Sequence, residues 1–479
     1  MVRASILHAC LITAFVSAGV LPAEHCKNGT ASISKRQQDL KPMDSKELED
    51  SIKEEALLQK AHELQEAAYK SPMRNRVCGT PGHESTLQLI GEYLKTMLGN
   101  FSVAGQAYKF MFANRGHNES EWQNMSGSIV PIQNFGCNAT DYPSELEGKV
   151  PLISKGGCDM RVKIGHSYRA KAVVLVNNST KPLEEAIGLE KGWLREEFVP
   201  IIVISQADGQ SLAAAATSAP LTAVLEVQQR AKRATSNIIV QTKGGDPNRV
   251  LMLGARTDSV FAGPDINNGG SGLIALLETA LHLSKYKVNN AVRFTFWSET
   301  HNPGGGGMLQ YLEKLSHDEI DNIRLYLDFY ELASPNFAYL LDEGDTSNPV
   351  EDLELPVGSA TARKFWRKWY AQHGIDPVDG KMDLIYLLEQ CIPVGGIRAG
   401  NELLKGPKEA TTFGGQAKVA FDVNYQRWTD TVDKLNMTAF VVNTKAIAAS
   451  VAHFATSLDE VPPRNHSCPW RVEDPRRRG

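Results

Sequence analysis

Apolar and polar positions repeat in one rhythm between Val250 and Asn336. The run Val250 to Leu253 predicts a buried strand, and Thr257, Asp258 and Ser259 follow at its carboxyl end. GPDINNGGSG comes next, with glycines (Gly263, Gly269, Gly270, Gly272) suited to a tight loop, and LIALLETALHL from Leu273 has apolar residues at helical spacing. AVRFTFW predicts a second strand running into SETHNPGGGG, and IRLYLDFYELASPN a third with Asp328, Tyr330 and Glu331 at its end. The glycines Gly304 to Gly307 lack a following GK[ST], so they read as a flexible turn before a helix at Met308 rather than as a phosphate loop. Strand, polar loop, helix, strand is the pattern of an α/β sheet, in which ligands sit beyond the carboxyl ends of the strands.

Two other stretches break this rhythm. From about Glu121 to Val227, short β-rich runs (SGSIVPI, GKVPLIS, KAVVLVNN, VPIIVIS) alternate with turn residues and a helix such as GQSLAAAAT. In ARKFWRKWYAQHG, Phe365, Trp366, Trp369 and Tyr370 share one helical face, a spacing that favours packing on a core over binding a membrane surface.

Composition narrows the setting. The 479 residues carry a formal net charge of -4, which points away from nucleic acid and membrane as partners. Arg3, the apolar run Ile6 to Val20 and small residues near Ala18 predict a signal peptide, too short for a membrane span, and so a secreted or vacuolar lumenal protein. Removing it discards Cys10 and leaves Cys26, Cys78, Cys137, Cys158, Cys391 and Cys468, an even set compatible with disulfides. Cys137 and Cys158 flank GKVPLIS and are the expected pair; the pairing of the other four is open. Sequons at Asn28, Asn100, Asn118, Asn124, Asn138, Asn177, Asn178, Asn436 and Asn465 predict a glycoprotein and mark expected surface. Cys26 to Glu55, rich in Lys, Asp, Glu and Ser, reads as a mobile leader or propeptide with a dibasic Lys35-Arg36, and PRRRG as a solvated tail.

On these strand ends the chain resembles the zinc aminopeptidase family of vacuolar aminopeptidase Y and bacterial leucyl aminopeptidase, whose motifs read GAHxDS, GPGINDNGSG, FWGAEE, LNFDM and CYHxxCD. ASPN (Ala333 to Asn336), IPVGG (Ile392 to Gly396) and DTVDKLNMTA (Asp430 to Ala439) agree with it as well. GCNATDYP and GKVPLISKGGCDM resemble the family's protease-associated insert. The resemblance implies an α/β zinc exopeptidase fold, with a mixed central sheet covered by helices on both faces and a small β-rich protease-associated domain. The expected division is 1–18 signal peptide, 19–55 leader, 56–120 first part of the peptidase domain, 121–227 insert, 228–455 second part and 456–479 tail.

The ligands implied by the resemblance do not carry over. The family's first histidine falls on Arg256, its bridging aspartate on Asn268, its general-base glutamate on Thr300, the next ligand on His301, the third-strand aspartate on Tyr330 and the last histidine on Gln426. Asp258 remains at the orienting position, and the two cysteines around the last histidine are replaced at Asn424 and Thr429. Two zinc ions about 3.5 Å apart repel by roughly 19 kcal/mol at an effective dielectric near 20, which a bridging carboxylate relieves and neutral Asn268 does not. A guanidinium about 4 Å from a dication adds repulsion of roughly 8 kcal/mol.

The expected protein is therefore a secreted or vacuolar pseudo-peptidase that binds a peptide or protein ligand without a cofactor. The competing expectation is an active zinc aminopeptidase using His301 with Asp258, Glu299 and neighbouring Asp265, Asp328 or Glu331; a further one is an adhesive glycoprotein acting through the insert. Oligomeric state is open.

Overall fold

The three runs pair side by side. A computed structural model of the chain describes residues 40–97, 100–110, 125–158, 160–178, 201–225, 233–300, 306–346, 355–382, 387–388 and 390–464. Among them, Asp246–Arg256 lies between Asn290–Trp297 and Ile323–Phe329 and is parallel to both, and Val394–Arg398 runs parallel beyond Ile323–Phe329. Arg233–Thr242 pairs antiparallel with Asn290–Trp297, and Leu340–Thr346 antiparallel with Val394–Arg398, so the eight-stranded sheet is mixed as expected. From the central strand the chain goes first to one neighbour and then to the other. That reversal of strand order is the topological switch point at which α/β sheets bind ligands.

Both faces of the sheet are covered, so the alternation of side chains divides one apolar run between two cores. Leu251, Leu253 and Ala255 join the larger core with the helices Ser271–Leu283, Ser359–Gln372 and Met437–Thr456, whereas Val250 and Met252 join Trp297, Tyr311 and Tyr326 in a second one. The helix after the central strand starts at Ser271, after a wide turn at Ile266–Gly270. It lies so close to the sheet that a Cβ at Gly272 would stand 1.8 Å from the Phe329 carbonyl oxygen. The aromatic face of Ser359–Gln372 packs inward: Trp366 and Tyr370 are fully buried, and the Tyr370 hydroxyl donates to Asn443 Oδ1 at 2.6 Å.

Several expectations are corrected. Residues 40–55 are packed, not a mobile leader: Lys41 bridges to Tyr286, and the helix Ser45–Ser51 buries Leu48, which with Ile52 is one helical turn apart and enters the larger core. Leu458 and Val461 likewise anchor the start of the expected tail, and Arg464 pairs with Asp321 at 3.0 Å. The helix expected at Met308 begins at Gly306, whose φ of 45° brings it against the Glu299 carbonyl. The signal-peptide region, Lys35-Arg36, the terminal PRRRG and the sequons at Asn28, Asn118, Asn124 and Asn465 lie outside the described residues.

Residues 109–233 form a separate compact unit. Its five-stranded sheet runs Ile201–Ile204, Val173–Val176, Val150–Ser154, Met125–Pro131, Thr222–Leu225, with the last strand antiparallel. Cys137 and Cys158 are disulfide-bonded there. Cys78 is not disulfide-bonded, so the four remaining cysteines do not form two bridges; its sulfur is buried and accepts a hydrogen bond from the Glu299 amide at 3.0 Å. Asn177 also departs from the expected surface set, being 5 % exposed at the end of a buried strand.

Two predictions follow from this packing. Gly272→Ala is expected to destabilise the chain by about 1–3 kcal/mol in chemical denaturation, because helix and strand have to separate. Gly165→Ala, in the helix Met160–His166 where a Cβ meets nothing within 4 Å, serves as the clash-free comparison and is expected to be neutral or stabilising by up to about 1 kcal/mol. In glycopeptide mass spectrometry of protein expressed through a secretory route, the Asn177-Asn178 pair is expected to carry its glycan on exposed Asn178; occupancy of Asn177 instead contradicts the placement.

Candidate functional site

The register of the parallel strands sets the site. Asp328 is level with Gly254 on one side and Gly396 on the other, so two residues further on Arg256, Tyr330 and Arg398 come abreast at the carboxyl ends of three adjacent strands. The guanidinium carbons of Arg256 and Arg398 lie 4.3 and 4.8 Å from the centroid of the Tyr330 ring, within cation–π range. Arg398 is anchored by Asp342, with Nε to Oδ1 at 2.7 Å. Gly396 makes room for this pair, since a Cβ there would lie 2.3 Å from Asp342 Oδ2. Among the described residues, Arg256 donates no hydrogen bond and joins no ion pair.

Beneath the ring, Trp297 Nε1 donates to the Tyr326 hydroxyl at 2.9 Å, which donates to Asp328 Oδ1 at 2.7 Å. Burial pushes the Asp328 carboxyl up to about 6, against the opposing pull of Arg256 and the Tyr326 hydrogen bond. Burial also works against the Arg256 charge, but Tyr330, Asp328, Tyr425 and Glu331 outweigh it and hold the guanidinium above its ordinary range. It is permanently protonated.

Asn268 sits in the turn Ile266–Gly270, whose amides are organised by a carboxylate from far along the chain. Asp430 accepts from the Asn267 amide at 2.8 Å and the Asn268 amide at 3.1 Å, and Asn268 Nδ2 donates to Asp265 Oδ1 at 2.9 Å. Burial, then Asp422 and Asp265, push the Asp430 carboxyl well up. Asp265 is left-handed at φ 60°, and fully buried Arg76 pins this loop by donating to the carbonyls of Thr257, Pro264 and Asp265 at 2.5, 2.9 and 2.9 Å.

On the other side of the central strand, Asp258 accepts from the Thr300 amide at 3.0 Å and from its hydroxyl at 2.9 Å. At the base position implied by the resemblance stands a hydroxyl that donates to Asp258. Below it, His83 is buried with Nε2 3.0 Å from Thr257 Oγ1, and burial pushes its pKa down to about 4. Gln426, at φ 53°, donates through Nε2 to the Tyr425 hydroxyl at 3.3 Å. His301 lies outside the described residues.

The expected rim positions Arg256, Asp258, Asn268, Thr300, Tyr330 and Gln426 all fall on the loops and strand ends of one sheet edge. Arg76, Asp430 and the Arg398–Asp342 pair were not foreseen. Arg398 had a readable signal: GIR closes the apolar run after IPVG as GAR closes the one after VLML, each ending a buried strand on arginine. Arg76 had none, because its partners lie about 180 residues away and are backbone carbonyls.

Comparison with known proteins agrees with this architecture. Residues 237–451 match the model of peptidase family M28, and residues 125–212 match the PA domain. Leucine aminopeptidase 2 of Arthroderma otae is 36% identical over 440 residues, covering 87% of each chain, and that of Trichophyton rubrum is 35% identical over 447 residues, covering 88% of this chain and 89% of the relative. Among solved structures, BSAP, a zinc aminopeptidase from Bacillus subtilis, superposes with a TM-score of 0.64 at 16% identity, covering 86% of this chain and 99% of the other. An aminopeptidase from Aneurinibacillus sp. strain AM-1 gives 0.58 at 19%, covering 88% and 98%.

Zinc does not fit the donors described at this rim. Arginine, asparagine, tyrosine with its hydroxyl pushed far up by burial, and glutamine stand at the implied ligand positions, and no group of three or more His, Cys, Asp or Glu among the described residues is placed to hold a metal ion.

The buried titratable groups predict a specific pH response. Asp328 is raised in the fold, so the unfolded chain ionises first; stability falls as pH rises from the ordinary 3.8 to about 6 and is then constant. His83 acts oppositely: its depressed pKa means that stability falls as pH drops from 6.5 to about 4. In urea unfolding, Asp328→Asn is expected to gain stability relative to wild type by about 1–3 kcal/mol between pH 4 and 7. A difference independent of pH would contradict the buried placement of Asp328.

Proposed function

We propose, from the premise that this chain belongs to peptidase family M28, that it is a catalytically degenerate aminopeptidase that uses the old cleft to bind a peptide or protein ligand. The observation that carries this reading is the Arg256–Tyr330–Arg398 row, in which a permanent cation and a neutral ring stand at two of the ligand positions implied by the resemblance and a second cation lies beside them. Hydrolysis by the family's chemistry needs a Lewis acid and a base. Arg256 repels the first, and Thr300 is a poor substitute for the second, because a hydroxyl titrates far above neutral pH and donates its proton to Asp258. Loss of the base alone slows such a reaction by roughly two to four decades.

The glycine-rich turn, the Asp430 caps and the switch-point geometry support retention of a ligand cleft. The N-terminal apolar run and the sequons favour delivery to a secreted or vacuolar lumen; no described helix is long and apolar enough to cross a membrane. The leucine aminopeptidase names of the relatives make leucyl peptides the first ligands to try.

The test is metal analysis of the purified full chain together with hydrolysis of leucyl and other aminoacyl reporter substrates. The expected outcome is substoichiometric zinc and turnover unaffected by chelators and indistinguishable from the blank. Near-stoichiometric zinc with chelator-sensitive turnover overturns the proposal in favour of a metal site built on His301 with Asp258 and Glu299. Partner capture that depends only on residues 121–227 moves binding to the insert.

A further inference from the structure

Two other arginines of this region have a charged or hydrogen-bonded partner, although Arg398 Nη2 makes no hydrogen bond among the described residues. Arg76 donates to three carbonyls and Arg398 is held by Asp342. Arg256 is different: its guanidinium is part-buried, lies against the Tyr330 ring, and makes no hydrogen bond or ion pair among the described residues. A guanidinium presents five N–H donors in a fixed planar fork, and leaving them unmatched while partly withdrawn from water is unfavourable. It stands at the end of the central strand, at the switch point.

We infer that Arg256 is the receptor for the carboxylate of a ligand entering the cleft, supplied by a free α-amino acid or by the C-terminus of a short peptide. This rests on the binding-protein reading, since a zinc ion at the family's position would compete with the guanidinium. A carboxylate fits for three reasons. It is planar and takes two parallel N–H donors from one guanidinium edge, the strong bidentate arrangement. It offers a directly paired negative charge, which Asp328 and Glu331, acting on Arg256 without an ion pair to it, do not. Inorganic phosphate is tetrahedral, and its dianion, which coexists with the monoanion at neutral pH, is disfavoured by Asp328 and Glu331, whose charges already act on Arg256. The cation–π contact fixes the plane of the fork without using its N–H edges.

In a metal-bearing relative a dication meets the reacting end of the substrate; here a monocation meets an anionic end, so a ligand with a free carboxylate is preferred over its amide. The structure thereby assigns Arg256 to specificity and gives it no part in bond breaking.

The experiment is a titration of the full-length protein, followed by calorimetry and thermal melting, with leucine, N-acetyl-leucine, leucinamide, the dipeptide Gly-Leu and its C-terminal amide, and inorganic phosphate. Zinc content is measured on the same sample. At least one free-carboxylate probe is expected to bind about tenfold or more tightly than its amide, the value of a lost charge-assisted bidentate contact. Preference for leucine assigns an amino-acid ligand and preference for Gly-Leu a peptide C-terminus; both support the inference. Amides binding as well as acids, phosphate binding more tightly than any carboxylate, or no response to any carboxylate overturns it. Arg256→Gln is expected to abolish the acid-over-amide preference and Arg256→Lys to retain part of it. The wild-type panel decides the matter even if these variants fail to fold. Zinc-free protein that ignores carboxylates defeats only this inference, whereas bound zinc with turnover defeats the binding-protein reading itself.

Discussion

Burial of the central parallel strands on both faces is the constraint from which the site follows. Leu251 and Leu253 are committed to one core and Val250 and Met252 to the other, so the strand has no freedom to slip: a shift of one residue would exchange the two sets and move every rim residue with them. The same fixed register brings Arg256, Tyr330 and Arg398 abreast. Gly254 and Gly272 are part of that constraint, because each occupies a point where an added Cβ would lie 1.8 Å from a neighbouring oxygen. Site geometry is a by-product of core packing.

On the proposed reading, that dependence explains how metal ligands can be replaced without loss of the fold. A metal centre needs negative charge gathered around a cation, and its removal leaves carboxylates to repel one another. Here the rim is filled by substitution of kind. Arg256 supplies a cation bonded to the chain, Arg398 is matched by Asp342, and Asp258 is satisfied by the amide and hydroxyl of Thr300. Asn268, where the resemblance implies a bridging carboxylate, is neutral beside Asp265 of its own loop and near Asp430 and Asp422, which reach that loop from a distant segment.

The part of this arrangement that was legible in the sequence is the part carried by local pattern. Apolar runs ending in polar residues located the three strands and their rim, and helical spacing placed Trp366 and Tyr370 in a core. What escaped notice depends on contacts between distant segments. Arg76 reads as one charged residue among many until its three carbonyl partners are known, and Asp430 belongs to a motif whose spacing does not reveal that its carboxylate caps a turn 160 residues earlier. Leu48 and Leu458 sit in polar, charged surroundings that read as leader and tail, and two or three anchoring side chains are enough to pack such segments. An even number of cysteines suggested pairing for Cys78, which the fold instead uses as a buried hydrogen-bond acceptor.

Backbone strain at the rim supports the view that the frame persists for packing reasons. Asp265, Glu299, Glu331 and Gln426 all have φ between 53° and 60°, in the left-handed region, at about 1–3 kcal/mol each. Such strain survives only where surrounding contacts over-determine the backbone, and for three of the four these contacts come from the chain itself. Arg76 holds the Asp265 carbonyl, Cys78 holds the Glu299 amide, and Glu331 is held through its amide by the Asn268 carbonyl and through its own carbonyl by the Ala399 amide. Each of these partners is itself buried in the fold. On the proposed reading, replacement of the metal ligands gives the loops no route to relax, and the switch point stays available to the ligand proposed for Arg256.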